Sequence, residues 1–483
     1  MMKVNNNRKF SVRDRFIIGV LALAGVPYET AWKLYCVSKS YYADLKGPAS
    51  KLLDALFSTR ERVTGVILIT PEFVRRCVVA LTCYCRSPLE GIIEFFDRVI
   101  GHHVSKGSVE NILKETSKKA EEFDRSVPLE SVRDIAVDEI FQQGKPVLTV
   151  ADMGTHYVVM MEAAKDRTGE TWKAALEEKK ARGLFAQTCV SDAGTGLLNG
   201  VPAAFPEIEM QPDVFHALRD TQRHIRSVER KSFSLFTKLY HLEEKLCNPN
   251  AKKKTREQYA ELSAQWETEL KRTEILDILF SWLREYLGWS GYGYARSLAL
   301  CQWITDEMSA LYPEQEDFLK AVRKFRNHLP ALLSFLRRLE NKMREASLSF
   351  RVDPHAFQLL YNQTAYHYTS EEYRFMDRKL FSVFGERIFE ARDTLASLLR
   401  SVFRASSLIE NVNGRLRAFM DLKREIPEPL FILLKVFFNT KKDRRPRNQD
   451  WKGISAVDRL TGQSYPEFLD LLLGQRNYVV YMG

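Results

Sequence analysis

A chain of 483 residues exceeds what one hydrophobic core usually supports, so about two to four domains are expected. With 45% hydrophobic and 28% charged residues, its composition excludes the disordered and fibrous classes and fits a soluble globular protein. The net charge of +10 points to a polyanionic partner. No apolar run reaches the roughly 18 residues that would suggest a membrane span, and the polar start Met1-Met-Lys-Val-Asn-Asn-Asn-Arg-Lys lacks a secretory h-region, so a cytoplasmic protein is expected.

Residues 10 to about 124 read as two tandem helix-turn-helix units. In the first, Ser11 can cap a helix running to Ala24, Gly25-Val-Pro breaks it, Tyr28 to Tyr35 forms a second helix, and Ser38 caps a third. In the second, Pro71 to Cys85 is apolar at helical spacing and Ser87-Pro-Leu-Glu90 combines a capping box with Pro at the first helical position. Gly101-His-His-Val-Ser105 is then the turn, and Lys106 to Lys119 the candidate recognition helix. Such a helix places its N-terminal residues in the major groove, so Lys39, Ser40, Tyr41 and Tyr42 in one unit, and Lys106, Ser108 and Asn111 in the other, are candidate DNA contacts. Three-helix bundles also serve as protein-interaction modules. The seven cysteines lack the paired spacing of a zinc ribbon, and Cys83-Tyr-Cys85 reads as buried free thiols. His102-His103, with no third ligand nearby, reads as solvent-exposed.

Residues 132–192 carry the strand signals. Arg133 to Phe141 has alternating apolar residues, Lys145 to Asp152 repeats the pattern after a Gln-Gln-Gly turn, and His156 to Ala164 is a third run, giving three antiparallel strands. A helix from Glu170 to Arg182 starts at Thr168, and Phe185 to Asp192 returns as a further strand. Strand, strand, strand, helix, strand, with Asp138 in the first strand and Asp192 just past the fourth, resembles the ribonuclease-H-like core of DDE transposases and integrases.

Pro206 to Asp213 reads as a fifth strand, and its Asp213-x-x-His216 ending is similar to a pattern that several transposase families carry there. His216 either sits near the scissile phosphate or is a structural histidine at a strand-to-helix junction. From residue 227 to about 400 the pattern changes to long helices: Leu235 to Leu246, Arg256 to Lys271, Glu274 to Tyr286, Tyr294 to Leu311, Glu314 to Asn327, Pro330 to Ala346 and Ser370 to Phe403. This resembles the all-helical insertion that some transposases place before their final acid. Its Trp289, Tyr292 and Tyr294 serve either base stacking or core packing. The third acid is then expected on the helix after it, where Ser406-Ser-Leu-Ile-Glu410-Asn-Val-Asn-Gly-Arg-Leu-Arg417 supplies a cap, an early-turn carboxylate, and Asn413, Arg415 and Arg417 as further DNA-contact candidates.

The resemblance implies an α+β multidomain chain whose ribonuclease-H-like mixed sheet is interrupted by a large all-α insertion and preceded by helical helix-turn-helix modules. The implied boundaries are 1–65 and 66–130 for the two modules, 131–226 for the first part of the core, 227–402 for the insertion, 403–447 for the second part and 448–483 for a tail. Asp138, Asp192 and Glu410 would hold Mg²⁺, with Mn²⁺ able to substitute, as two ions about 3.5–4 Å apart. Hard divalent cations prefer such oxygen ligands. Glu139 lies on the opposite sheet face, while Asp152 and Asp213, both at strand ends, are the alternative acids. The implied function is an insertion-sequence transposase that binds the terminal inverted repeats of double-stranded DNA, cleaves and joins strands, works as a homodimer or larger synaptic complex, has no membrane partner and associates with the bacterial nucleoid. A transposase-derived regulator without catalysis, or a related nuclease, are the alternatives.

Overall fold

The computed structural model describes residues 10–57, 65–67, 69–192, 194–249, 252–423, 425–446, 448–476 and 479–481. The polar start before Phe10, Ala193 beside Asp192, and Asn250-Ala251 of the turn expected after Leu246 lie outside them. The chain divides into two units, residues 1–75 with 475–483 and residues 76–474.

In the first unit, α1 (Val12–Leu23) begins at a reciprocal capping box in which Ser11 and Asp14 each satisfy the other's backbone N–H. It is followed by α2 (Tyr28–Tyr35), α3 (Lys39–Asp44), capped by Ser38 as expected, and α4 (Lys46–Phe57). Ile18, Ala22, Ala31, Val37 and Tyr42 form one small core. The short strand β1 (Gly65–Ile67) pairs antiparallel with the last strand of the chain, over Val479–Tyr481. Residues 475–483, expected as part of a tail, therefore belong to this unit.

The second unit takes most of α5 (Pro71–Cys83), then α6 (Leu89–Phe95) and α7 (Lys106–Ser126). Pro88 is the N-cap of α6 with no side-chain cap, so the expected capping box from Ser87 is not formed and the helix starts one residue later than expected. All seven cysteines are free; Cys83 is buried but Cys85, one turn-residue past the helix, is exposed, which corrects the expectation for that pair. His102 and His103 are exposed.

The sheet contains β2 (Asp134–Gln142), β3 (Lys145–Asp152), β4 (Val158–Ala163), β5 (Thr188–Ser191) and β6 (Glu209–Pro212) in the spatial order β4-β3-β2-β5-β6. β2 is central, antiparallel to β3 and parallel to β5, and β5 runs parallel to β6. Between β4 and β5 lies α8 (Gly169–Ala181), capped by Thr168. Between β5 and β6 lies α9 (Thr195–Ala204), for which the sequence reading had no element. Because side chains alternate along a strand, Ile135, Val137 and Cys189 face α8 and α9, packing on Trp172, Leu176, Leu197 and Val201. The two helices approach closely at glycine: a Cβ on Gly200 would lie 2.5 Å from Trp172 Cβ and 2.6 Å from Gly169 O.

The next helices, α10 (Val214–Leu246), α11 (Lys253–Tyr286), α12 (Tyr294–Leu311), α13 (Glu316–Leu332), α14 (Ser334–Ser349), α15 (Ala356–Gln363), α16 (Glu371–Phe384) and α17 (Ile388–Arg400), bury a core of their own running from Val214 to Val402. The expected edge at residue 227 falls inside α10, which is continuous. The helix read over Ser370 to Phe403 breaks at Gly385, whose φ of +57° is open to glycine at little cost.

The chain then returns to the opposite face of the sheet with α18 (Ser407–Met420) and α19 (Glu428–Thr440), followed by α20 (Ala456–Thr461), α21 (Phe468–Leu473) and the closing strand β7 (Val479–Tyr481). Both sheet edges are covered, which blunts strand-to-strand aggregation. At β4, Asn439 accepts from Val158 N–H at 2.7 Å and donates to Val158 O at 2.9 Å, and Lys435 donates to Val159 O at 3.0 Å. At β6, Gln211 donates to Leu332 O at 3.1 Å and accepts from Ser334 Oγ at 2.8 Å. α7 packs lengthwise on α19, with Ala120 in the same core as Phe431, Leu434 and Phe437. The second expected module is thus continuous with the sheet unit.

Candidate active site

Sequence register alone places the first two acids side by side. β2 and β5 pair in parallel with Ala136 opposite Val190 and Val137 opposite Ser191, so the next residues, Asp138 and Asp192, stand beside each other where β5 ends. They share a face with Ala136 and Val190, and on that face sits Ile409 of α18. Packing Ile409 there brings Glu410 and, one turn on, Asn413 over the strands.

Asp138 is held from three sides. Its Oδ1 accepts from Glu139 N–H at 2.8 Å, its Oδ2 accepts from Asn413 Nδ2 at 2.6 Å, and its carbonyl accepts from Thr149 Oγ1, which also donates to Asn413 Oδ1 at 3.0 Å. Burial, joined by the charges of Asp192 and Glu410, pushes the Asp138 carboxyl up to about 6, against the hydrogen bonds from Glu139 and Asn413. Burial also raises Asp192, whose Oδ1 is closed off from solvent and accepts no hydrogen bond among the described residues.

Glu410 meets His216, whose Nε2 lies 3.1 Å from Glu410 Oε1 while Nδ1 lies 3.1 Å from Asp213 Oδ2. The Asp213 contact, with the charge of Glu410 also contributing, outweighs burial and holds the imidazole above its ordinary value. Asp213 joins two helices. Its Oδ1 accepts from the N–H groups of Phe215 and His216 at 2.6 and 3.1 Å, capping α10, and its Oδ2 accepts from Ser406 N–H at 2.8 Å and from the Ser406 hydroxyl. Burial alone would raise this carboxyl, but His216 and Ser406 hold it low. Ser406 was expected to cap α18 with its own side chain; instead its hydroxyl is spent on Asp213. That tie fixes the start of the helix bearing Glu410, and no local motif signals it because the partners are 193 residues apart.

Of the alternative acids, Asp213 stands at the site beside His216 and Asp152 is placed elsewhere. Asp152 pairs across from Ile135, at the other end of β2, where it closes a turn by accepting from Thr155 N–H at 2.8 Å. Glu139 faces α8, held by Arg167 at 2.9 Å and Trp172 Nε1 at 3.2 Å.

Two expected DNA contacts, Tyr42 and Asn413, need correction. Tyr42 is buried, its hydroxyl donating to Val26 O at 2.6 Å, because it fills the core of the first unit. Asn413 is fully buried and serves Asp138. Arg415 turns away from the acids, its guanidinium 3.8 Å over the Phe438 ring. Lys39, Ser40, Lys106, Ser108 and Asn111 are exposed, and Tyr41 is half-buried, stacked on Phe10. Arg417 is exposed and lies 3.9 Å from Glu410. In the insertion, Trp289 packs edge-on against Phe335, while Tyr292 and Tyr294 carry Arg296 and Arg337 at 4.0 and 3.9 Å.

A cleft of about 610 Å³ opens from Asp192 and His216 and is lined further along by Arg219, Arg223 and Lys324. Sequence reading did not assign these three cations to the site. Asp220 lines this cleft as well and pairs with Arg223 at 3.1 Å.

Residues 80–277 match the family described as Transposase, Mutator family. This similarity supports a transposase. The matched segment, less than half of the chain, carries Asp138, Asp192, Asp213 and His216 and ends before Glu410. In a comparison with curated proteins, nothing matches the chain. Among the described residues, no helix is long and apolar enough to cross a membrane.

The residue types fit a hard divalent cation: three carboxylates, one with a buried oxygen that accepts no hydrogen bond among the described residues and one raised by burial, with the charges of the other two adding. Among the described residues, no three His, Cys, Asp or Glu side chains are arranged so that they could hold a metal ion as they stand. Glu410 rests instead on His216.

Proposed function

We propose that the chain is a DDE transposase of an insertion sequence that binds the terminal inverted repeats of its element, cleaves at the ends and joins 3′-hydroxyls to target DNA. What supports this reading is the register that stands Asp138 beside Asp192, with Ile409 of α18 packed on the same sheet face and the charge of Glu410, 218 residues beyond Asp192, reaching Asp138. The strand order, with three antiparallel strands and two parallel ones beside the first, supports a ribonuclease-H-like core. The helices α10 to α17, with their separate core between the second and third acids, support the inserted domain. The first unit and the exposed start of α7 are read as the helix-turn-helix modules, with Lys39, Ser40, Tyr41, Lys106, Ser108 and Asn111 at the DNA.

Asp138, Asp192 and Glu410 are the residues that would hold Mg²⁺ or Mn²⁺, which when bound supplies charge neutralisation at the scissile phosphate and a more acidic attacking water or hydroxyl. Asn413 and Thr149 fix the rotamer of Asp138. Asp213 positions both His216 and the first turn of α18, so Glu410 is aimed from two sides. His216 keeps Glu410 near the acids and offers Nε2–H to an incoming phosphate oxygen when Glu410 turns to the cation. Two ends must be held together for transposition, so a homodimer or larger synaptic complex is part of the proposal.

The test is Mg²⁺-dependent cleavage of a duplex carrying an element end. Glu410→Gln is expected to retain duplex binding and lose cutting; loss of both, or retention of both, rejects Glu410 as a member of the centre.

A further inference from the structure

Away from the acids, three cations stand on three aromatic rings that touch one another. Phe438 lies 6.2 Å from Phe419 and 5.9 Å from Phe437, centroid to centroid. Arg415 sits 3.8 Å over Phe438, Arg86 sits 5.6 Å over Phe419, and Lys441 sits 5.7 Å over Phe437. The cations come from three separate places: the residue past the turn after α5, the middle of α18, and the residue following α19. Among the described residues, none of the three makes an ion pair or a side-chain hydrogen bond. Asp443 is the carboxylate whose charge reaches Arg415 and Lys441, and it already pairs with Arg459 at 2.9 Å. Burial and the adjacent Arg86 charge push the Arg415 guanidinium down to about 10, and burial together with Arg415, Arg444 and Arg86 pushes the Lys441 ammonium down.

Cation–π contact holds each group in place but leaves its charge and its N–H donors unspent. Like charges gathered on a rigid platform repel until an anion joins them. Arg86 and Lys441 are exposed, so the cluster is open to a ligand. Arg415 and Glu410 lie on the same helix, five residues and so about 7.5 Å apart along its axis, which places the cluster within reach of one substrate strand.

We propose that Arg86, Arg415 and Lys441, presented by Phe419, Phe438 and Phe437, form a clamp for backbone phosphates of the DNA. This rests on the reading of the chain as a DNA-processing enzyme and adds a binding site to it. The clamp takes consecutive phosphates of one strand without reading bases, because among the described residues no side-chain amide bonds the three cations and the nearby Asp443 is already paired with Arg459. Its role is to hold the duplex in register with Glu410.

The experiment measures binding of a fluorescein-labelled, mixed-sequence DNA duplex by the full chain across 50–200 mM salt. Each lost phosphate contact lowers the slope of log K against log salt by about 0.9, so the double variant R86Q/K441Q should lose nearly two units of slope, and its deficit should shrink about tenfold between those salt concentrations. Both side chains are exposed, so the variant should melt as wild type does; R415Q, at a half-buried position, is the confirming single variant. An unchanged slope in a folded R86Q/K441Q, with wild type still binding and cutting DNA, overturns the clamp and leaves the enzyme reading intact. Absence of salt-sensitive duplex binding by wild type overturns both. Inorganic phosphate at matched ionic strength should not displace the duplex; displacement with an unchanged slope makes this a small-anion site and overturns the proposal.

Discussion

Replacing Asp213 by Ala removes the junction between α10 and α18. The loss of the α10 N-cap, with its two bonds at 2.6 and 3.1 Å, costs about 1 kcal/mol. The buried Ser406 N–H, which donates to Asp213 at 2.8 Å, is left without an acceptor, at about 1–3 kcal/mol. Together these give about 3 kcal/mol. Unfolding entropy near 2.1 cal/mol/K per residue over a unit of roughly 400 residues is about 0.8 kcal/mol/K, so Tm should fall by about 4 °C. Asp213→Asn keeps one acceptor oxygen and should lose about half of that. Differential scanning fluorimetry reads the shift. In a cleavage assay both variants should lose turnover beyond what unfolding explains, because Glu410 and His216 are no longer aimed. A Tm within 1 °C of wild type for Asp213→Ala, with cutting unchanged, would refute the reasoning.

Gly200→Ala should destabilise the second unit by about 1–3 kcal/mol, since its methyl would enter the space of Trp172 Cβ and Gly169 O; a melt at the wild-type temperature would mean that α8 and α9 separate freely. Asp124 gives the pH prediction. Burial alone would raise its carboxyl, but Lys435 at 2.8 Å and Arg182 at 2.9 Å hold it below the ordinary value. With its folded value depressed, its stabilisation is present above the unfolded carboxylate value of about 3.9 and is lost as pH falls through the folded one. Lys435→Met leaves the buried Asp124 charge under-compensated, at about 3–5 kcal/mol near neutral pH. Its Tm deficit against wild type should therefore narrow as pH is lowered below the unfolded carboxylate value of about 3.9; a deficit that stays the same down to about pH 2 would contradict the pairing.

Local signals carried much of this fold. The second strand of the sheet and the helices over Tyr28–Tyr35 and Tyr294–Leu311 fall where periodicity puts them, and Thr168 and Ser38 cap where their spacing predicts. What failed was non-local. Thr195 to Ala204 holds two glycines and a proline and reads as a loop, yet it is a helix because those glycines let it press against α8. Pro330 reads as a helix start but stands in the last turn of α13. At the site, Asp138 and Asp192 were legible from strand alternation, and Glu410 from a polar helix start. The roles of Asn413 and Tyr42 were not: residue type offers a polar group to DNA, and only packing reveals that the first serves Asp138 and the second fills a core. Asp213 was noticed for its spacing to His216, whereas its bond to Ser406 is invisible along the chain.

The account turns on Asp138, Asp192 and Glu410 acting jointly on divalent ions. Titrating the full chain with Mn²⁺ and counting bound ions by electron paramagnetic resonance tests this without DNA or activity. Wild type should bind Mn²⁺ at sites that Mg²⁺ displaces, and Asp138→Asn, Asp192→Asn and Glu410→Gln should each weaken the same sites. Binding that survives all three substitutions, or that responds to the two aspartates but not to Glu410, would contradict it.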